Sequence, residues 1–519
     1  MGMSLCLKSA PGLSLAVVVV IALGARLLLL YGFDVVAPDG VVLIEMAKTF
    51  AAGDFFTVDV PEHHHEPLYP ALIFAVSALT PLDYVRSGQL VSLASAVATI
   101  YLVYMLAKRL YGQKTGIYSA LILSLVPLHA LSSVTVLKES FYTLMAVAVI
   151  YSCALAIERR GRAYFFLTGL FLGLSYLVRF DGILLLLSIP FLYYAIDSGA
   201  LRANLLSMFV LIFAALTLYA AYAAVLYIQT GEITISKKLN YYVTPVAAPE
   251  AAKEKLIRDY GYIEGEEIIK SGSQWRAFLT KRTEGLYKAV HYILPAVFPV
   301  LLMLFAGAGI GAGAGKKEML LLLIPVIYAF VFPFMKYPTD NRYFLCVTPF
   351  FSVFAGRGLA LLQNGLAQRH RHLPGVFMII FLIVFAPWAV KPMFDGKTYR
   401  DELLQKEVGL FIRGIEQKER IKIVSPLPVV SFYAGARLFY LGPLKKEGEI
   451  IGLLRDTGAD YAVLDDIRAV ERLLKESKKK QSALGIEKIK EFSGGGIQVI
   501  VLKVRRCMEK GGYGEIQAC

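Results

Sequence analysis

Charge and cysteine are both scarce in this chain. Of its 519 residues, 18% are charged and five are cysteines, against a hydrophobic content of 57%. With a mean hydropathy of +0.58, too few polar residues remain to cover an aqueous surface, which excludes a soluble globular protein. The cysteines form no CxxC and no zinc-ligand spacing, which excludes a zinc module and a disulfide framework. Cys153 and Cys346 lie inside apolar runs and read as small core residues, whereas Cys507 and Cys519 share the tail and are free to pair. The four asparagines include no Asn-x-Ser/Thr acceptor, and there is no Gly-x-x-x-x-Gly-Lys phosphate loop and no His-Glu-x-x-His. No internal repeat is visible, and low complexity is confined to the glycine-rich tail after Lys510.

What fills the chain instead is a series of eleven apolar runs. They fall near 13–33, 87–107, 115–131, 140–157, 163–178, 183–196, 204–228, 290–310, 319–335, 343–362 and 375–391. Each approaches the length that crosses a ~30 Å hydrocarbon layer, and only as helices do such runs satisfy their backbone in lipid. Every second connection is basic: Lys108, Arg109 and Lys114; Arg159, Arg160 and Arg162; Arg202; Lys316 and Lys317; Arg369 and Arg371. Positive residues stay cytoplasmic, so the N-terminus is expected inside, the odd-numbered loops outside, and the protein in the cell membrane. Much of the net charge of +14 sits in those inner loops, where it sets topology and meets lipid head groups; nucleic acid is not an expected partner. The first run, preceded by Lys8, is too long for a cleaved signal and is kept as a helix.

Residues 1–394 therefore read as a multi-spanning body with two long outer loops, 34–86 and 229–291. In the first, Val42, Leu43, Met46, Ala47 and Phe50 predict a short amphipathic helix, and Leu68–Leu79 a helix too short to span. Beyond Thr398 the composition turns mixed. Strands are expected at 421–425, 461–465 and 498–504, with helices over 403–415 and 467–476, making residues 395–506 a small soluble α/β domain before a flexible tail, 507–519. The predicted fold class is an all-α polytopic membrane protein of about eleven transmembrane helices with a C-terminal extracytoplasmic α/β domain.

The candidate chemistry clusters in the odd-numbered loops. Asp39, just past the first span, puts a carboxylate near membrane depth, where ionisable groups are rarely idle; its alternative is to cap a helix beginning at Gly40. Glu66 closes a His63–His64–His65 triplet; His65 and Glu66 are weak metal candidates, because consecutive side chains diverge. Lys138-Glu139 marks the turn into the fourth span. Arg179-Phe180-Asp181-Gly182 occupies the turn after the fifth, where Asp-Gly is also a plain turn former. Lys336 and Arg342 precede the tenth span, placed either to grip a phosphate or to anchor at head groups.

In order and spacing these features resemble the C-type, membrane-embedded glycosyltransferases that use polyprenyl-phosphate sugars, nearest the protein O-mannosyltransferase and lipid A aminoarabinose transferase branch. The residues carrying the likeness are Pro38-Asp39-Gly40 with Ala47-Lys48 and Gly53, Glu66-Pro67-Leu68-Tyr69-Pro70, Lys138-Glu139-Ser140, the run Gly169–Asp181, and Arg342-Tyr343. The resemblance implies a GT-C-like fold and an inverting sugar transfer at the outer face. Asp39 would be the general base, and Glu139, with Glu66, the acceptor or second acidic site. Arg342, Lys336 and Arg179 would contact the lipid phosphate. The implied donor is a polyprenyl-phosphate-linked sugar, and the acceptor a hydroxyl on protein, lipid or glycan. A divalent metal is not favoured, since Gly40 stands where many relatives carry a second acid. The competing classes are a transporter or flippase, and a non-catalytic assembly subunit; the missing repeat and the charges at the membrane boundary argue against transport.

Overall fold

The computed structural model describes residues 11–32, 34–53, 65–196, 205–231, 298–313, 315–331, 341–370, 372–394, 399–416, 418, 420–441, 447–477, 484–494 and 496–506. His63, His64, Lys336, nearly all of the loop 229–291 and the tail cysteines lie outside these residues. Wherever described, each of the eleven expected spans is helical: Pro11–Gly32, Tyr84–Tyr111, Gln113–Leu125 continued by Pro127–Ser132, Glu139–Arg159, Arg162–Val178, Gly182–Ile196, Leu205–Thr230, Val300–Gly311, Lys316–Val331, a 3-10 turn Asn341–Val347 leading into Thr348–Arg369, and Leu373–Phe394. Six of these segments are long and apolar enough to cross a membrane by length and composition. The protein is built to be integral to a membrane.

Contacts divide the chain into two units, one of residues 1–34, 65–244 and 267–395, the other of 35–64, 245–266 and 396–519. Small residues set the helix spacing in the first. A Cβ on Gly309 would lie 2.0 Å from the Phe354 carbonyl oxygen, and one on Gly358 equally close to that of Phe305. Helices Val300–Gly311 and Thr348–Arg369 thus touch backbone to backbone, as membrane helices do without a hydrophobic drive between them. Gly169 plays the same part between Arg162–Val178 and Leu205–Thr230, its Cβ position 2.1 Å from the Leu211 oxygen. Pro127 breaks the third span and strips its preceding turn of a donor. Arg26, wholly buried in the first span, answers that break: its guanidinium donates to the Ser124 carbonyl (3.2 Å), to Ala22 (2.9 Å) and to His129 Nδ1 (2.8 Å). A cation at a helix C-terminus meets the negative end of its dipole, which is why no carboxylate is needed there.

The second unit carries a five-stranded sheet of order β2-β1-β3-β5-β4: β1 Lys422–Ser425, β2 Arg437–Tyr440, β3 Tyr461–Leu464, β4 Leu484–Gly494 and β5 Ile497–Arg506. β1, β2 and β3 run parallel, while β5 lies antiparallel to both β3 and β4. Side chains alternate between two cores. Ile423, Tyr461, Val463 and Val501 pack with Val408, Ile412 and Val430 on one face; Val424, Ala462, Leu464 and Leu502 pack with Leu454 and Leu473 on the other. Helices Arg400–Ile415 and Pro428–Ala434 cover the first face, Glu447–Thr457 and Ile467–Ser477 the second. The expected strands and the helix after β3 are present. β2 and β4 were not expected: both are edge strands, and β4 interleaves its apolar positions with Lys488, Lys490 and Glu491.

Helix Pro38–Ala51 was expected to belong with the spanning body, but its contacts group it with the α/β unit. It packs on Pro428–Ala434, the Val36 amide donates to the Tyr433 hydroxyl at 3.0 Å, and the Lys48 ammonium lies 5.6 Å from the Phe432 ring centre.

Candidate functional site

Five charged side chains from three separate turns meet in the first unit. The Lys138 ammonium donates to Glu66 Oε2 at 3.0 Å and reaches His65 Nδ1 at 3.1 Å. An ammonium only donates, so Nδ1 accepts, and the imidazole is the neutral tautomer with its proton on Nε2. On the other side of the same turn, Glu139 Oε1 accepts from Arg179 Nη1 at 3.4 Å, while Arg179 Nε donates to Asp181 Oδ1 at 2.8 Å. The Tyr328 hydroxyl donates to Asp181 Oδ2 and lies 3.0 Å from the Tyr142 hydroxyl. The Arg179 guanidinium also lies over the Tyr142 and Tyr343 rings, 5.1 Å from each centroid, and Arg342 lies over Tyr343 at 5.4 Å.

Local sequence explains the convergence. Lys138 and Glu139 straddle the start of helix Glu139–Arg159, so their side chains leave a single turn in different directions, and Ser140 Oγ ties that turn to the Ser132 carbonyl at 2.9 Å. Arg179 ends helix Arg162–Val178 in an extended conformation, and the chain folds straight back. A Cβ on Gly182 would sit 2.6 Å from the Tyr176 nitrogen, so only glycine makes this turn. Tyr69 holds the neighbouring Glu66-Pro67 segment by donating to the Gly88 carbonyl at 3.1 Å.

All five charged residues are buried: Glu66 is 1% exposed, Glu139 4%, Lys138 and Arg179 6%, and Asp181 7%. Three carboxylates face Lys138 and Arg179, with the Arg342 guanidinium beside them over the Tyr343 ring. Burial alone would raise the Asp181 carboxyl, but the charge and hydrogen bond of Arg179 outweigh it and hold it below the usual range. Glu139 Oε2 is buried with no hydrogen-bond partner among the described residues. A carboxylate oxygen left open in such a place suits a donor that arrives with a substrate.

Among the expected site residues, the structure brings together Glu66, Glu139, Arg179 and His65. Arg342 lies half-buried beside them through Tyr343. Lys336 lies outside the described residues. Asp39, half-buried in the first turn of Pro38–Ala51, belongs to the other unit. It is not the helix cap, since that position is Ala37. No group of three metal-ligating side chains occurs among the described residues. Sequence reasoning underrated Lys138 and Asp181, whose neighbours drew attention first, gave Tyr343 no role beyond the likeness it carries with Arg342, and passed over Tyr142 and Tyr328, which look like ordinary aromatic residues in apolar runs.

Residues 64–228 match the family model described as dolichyl-phosphate-mannose-protein mannosyltransferase. No curated protein matches the chain significantly by sequence. Among solved structures, ArnT from Cupriavidus metallidurans in the apo state is similar at a TM-score of 0.62 with 14% identity, over 94% of this chain and 97% of that one. The same protein bound to undecaprenyl phosphate gives 0.58 and 13% over the same shares. The Archaeoglobus fulgidus oligosaccharyltransferase with zinc and sulfate gives 0.59 and 15%, over 87% of this chain and 68% of that one.

Proposed function

We propose that this chain, which has the GT-C fold and resembles the protein O-mannosyltransferase and aminoarabinose transferase branch of the membrane glycosyltransferases, moves a sugar from a polyprenyl-phosphate donor to a hydroxyl acceptor at the outer face of the membrane. The observation that carries this reading is the buried cluster of Glu66, Lys138, Glu139, Arg179 and Asp181 in a membrane-built unit. Charges are costly there and are kept where they bind, position or react. Structures similar to this chain hold undecaprenyl phosphate and dolichol phosphate, which supports a lipid-linked donor.

The assigned roles follow charge. Asp39 is the general base that takes the acceptor proton as the hydroxyl attacks the anomeric carbon, with inversion. Such a base must come within about 2.6–3.2 Å of its hydroxyl in the productive complex. Arg342, aided by Lys336, stabilises the charge growing on the departing phosphate. Arg179, already engaged by two carboxylates, is a positioning residue that fixes Glu139, and is a poor second phosphate ligand. Glu139 and Glu66 accept hydrogen bonds from substrate hydroxyls, for which the open Glu139 Oε2 is suited. No step draws on a nucleotide, because the donor bond supplies the energy.

The test is transfer from a labelled polyprenyl-phosphate sugar in detergent. Asp39→Asn should lower turnover by about 10²–10⁴-fold while leaving membrane insertion intact. Undiminished turnover removes Asp39 from the chemistry, and a wild-type protein that consumes no donor in the absence of a second compartment favours a transporter.

A further inference from the structure

Beside the ion cluster, helices Arg162–Val178 and Leu205–Thr230 carry three tyrosines that the proposed chemistry leaves unused. Tyr176 and Tyr219 are stacked, with centroids 3.9 Å apart and planes within 10°, and Tyr222 meets Tyr176 edge-on at 6.0 Å. The glycine contacts bring them there. Gly169 lets the two backbones touch, and a Cβ on Gly173 would lie 2.6 Å from Leu218 Cδ1. One turn on, Tyr176 of one helix meets Tyr219 and Tyr222 of the other. The Tyr176 and Tyr222 hydroxyls lie within electrostatic reach of the Glu66 carboxylate. Tyr219 is 7% exposed, and its hydroxyl has no hydrogen-bond partner among the described residues. A phenol carried this deep is retained at a cost unless something completes it.

We infer that the Tyr219 hydroxyl, held rigid by its ring's stack on Tyr176, which Tyr222 meets edge-on, recognises a hydroxyl of a sugar ring. The inference rests on the glycosyl-transfer reading and names the residues that would read the sugar. Phenols both donate and accept, as sugar hydroxyls do, and a carboxylate accepts from them. A phosphate is disfavoured beside the Glu66 carboxylate that acts on the neighbouring Tyr176 and Tyr222, and an acyl or isoprenoid tail would leave the Tyr219 hydroxyl uncompleted. Rigid aromatic walls with a few converging polar groups are the common make-up of small-molecule sites. The ring belongs either to the donor or to a glycan acceptor; the chemistry of recognition is the same.

The experiment uses full-length protein in detergent and measures binding of three probes: bare polyprenyl monophosphate, the same lipid carrying mannose or glucose, and methyl mannoside. Tyr219→Phe keeps the stack and removes one oxygen. A donor-side ring predicts that this variant binds the sugar-bearing lipid about tenfold more weakly, the loss expected for one hydrogen bond, with bare-lipid affinity and thermal stability unchanged. An acceptor-side ring predicts the same loss for methyl mannoside alone. Tyr219→Leu, which also removes the stack, should weaken the same probe further. If Tyr219→Phe binds all three probes as the wild type does, or if the wild type neither binds methyl mannoside nor prefers the sugar-bearing lipid to the bare one, the inference fails and the hydroxyl serves a buried water. Because the readout is binding, a wild-type protein that binds the sugar-bearing lipid without transferring it would remove the proposed activity and leave this inference standing.

Discussion

At the scale of single residues, Arg179 decides how the cluster should be understood. Its guanidinium donates to Asp181 at 2.8 Å and Glu139 at 3.4 Å, and lies over two tyrosine rings. Removing one member of a buried ion network leaves a charge without compensation and typically costs about 3–5 kcal/mol, while replacing the whole set by apolar or neutral groups is often harmless. Arg179→Met alone should therefore lower stability by that order, whereas Arg179→Met combined with Asp181→Asn and Glu139→Gln should recover most of it and still lack transfer activity. Thermal unfolding beside turnover separates the two effects; a triple variant as active as wild type would reduce the network to scaffolding. The sequence made part of this legible. Arg179, Glu139 and Glu66 stood out as charges at span ends, but their partners depend on how three distant turns meet. Asp181 was hidden by a sufficient local explanation, the Asp-Gly turn, and Tyr328 by its apolar surroundings. Arg26 went unremarked because its compensation is a broken helix about a hundred residues away, which no local pattern shows.

At the scale of elements, hydropathy located every span whose residues are described, since each must satisfy its own backbone in lipid. How the spans pack was less legible. Glycines are common in this chain, and only contact geometry distinguishes those at which two backbones meet. Gly358 and Gly24 make the contrast. A Cβ on Gly358 would lie 2.0 Å from the Phe305 oxygen, and one on Gly24 meets nothing within 4 Å. Gly358→Ala should force Val300–Gly311 away and destabilise the protein by about 1–3 kcal/mol, the usual result of overpacking. Gly24→Ala should be neutral or slightly stabilising through helix propensity. Thermal unfolding of the two variants in the same detergent checks the pair, and equal midpoints would contradict the close approach. The α/β unit tells the same story in strands. β1, β3 and β5 are buried and apolar enough to be seen in sequence, whereas β2 and β4 gain their identity from neighbours that composition does not reveal.

At the scale of the whole chain, the unexpected feature is which segment belongs with which. Hydropathy assigns residues 34–86 to the spanning body, because they connect two spans. Contacts divide that stretch, giving helix Pro38–Ala51, and Asp39 with it, to the unit that contains the C-terminal sheet. The bonds are specific: Tyr433 accepts from the Val36 amide, one residue before the cap Ala37, and Phe432 lies against Lys48 near the helix's other end. The C-terminal domain therefore acts as the support of the proposed base, a role its own sequence does not suggest. Ending the chain after residue 394 removes Phe432 and Tyr433 while retaining every span and every member of the buried cluster. The truncated protein should insert, extract from membranes and bind polyprenyl phosphate, yet transfer sugar at least about tenfold more slowly, since a catalytic group misplaced by 1 Å already costs on the order of 10²-fold. Tyr433→Phe, which removes only the acceptor of the Val36 amide, should show the same direction at smaller size. Full transfer by the truncated chain would free Asp39 from the domain and return the first loop to the spanning body.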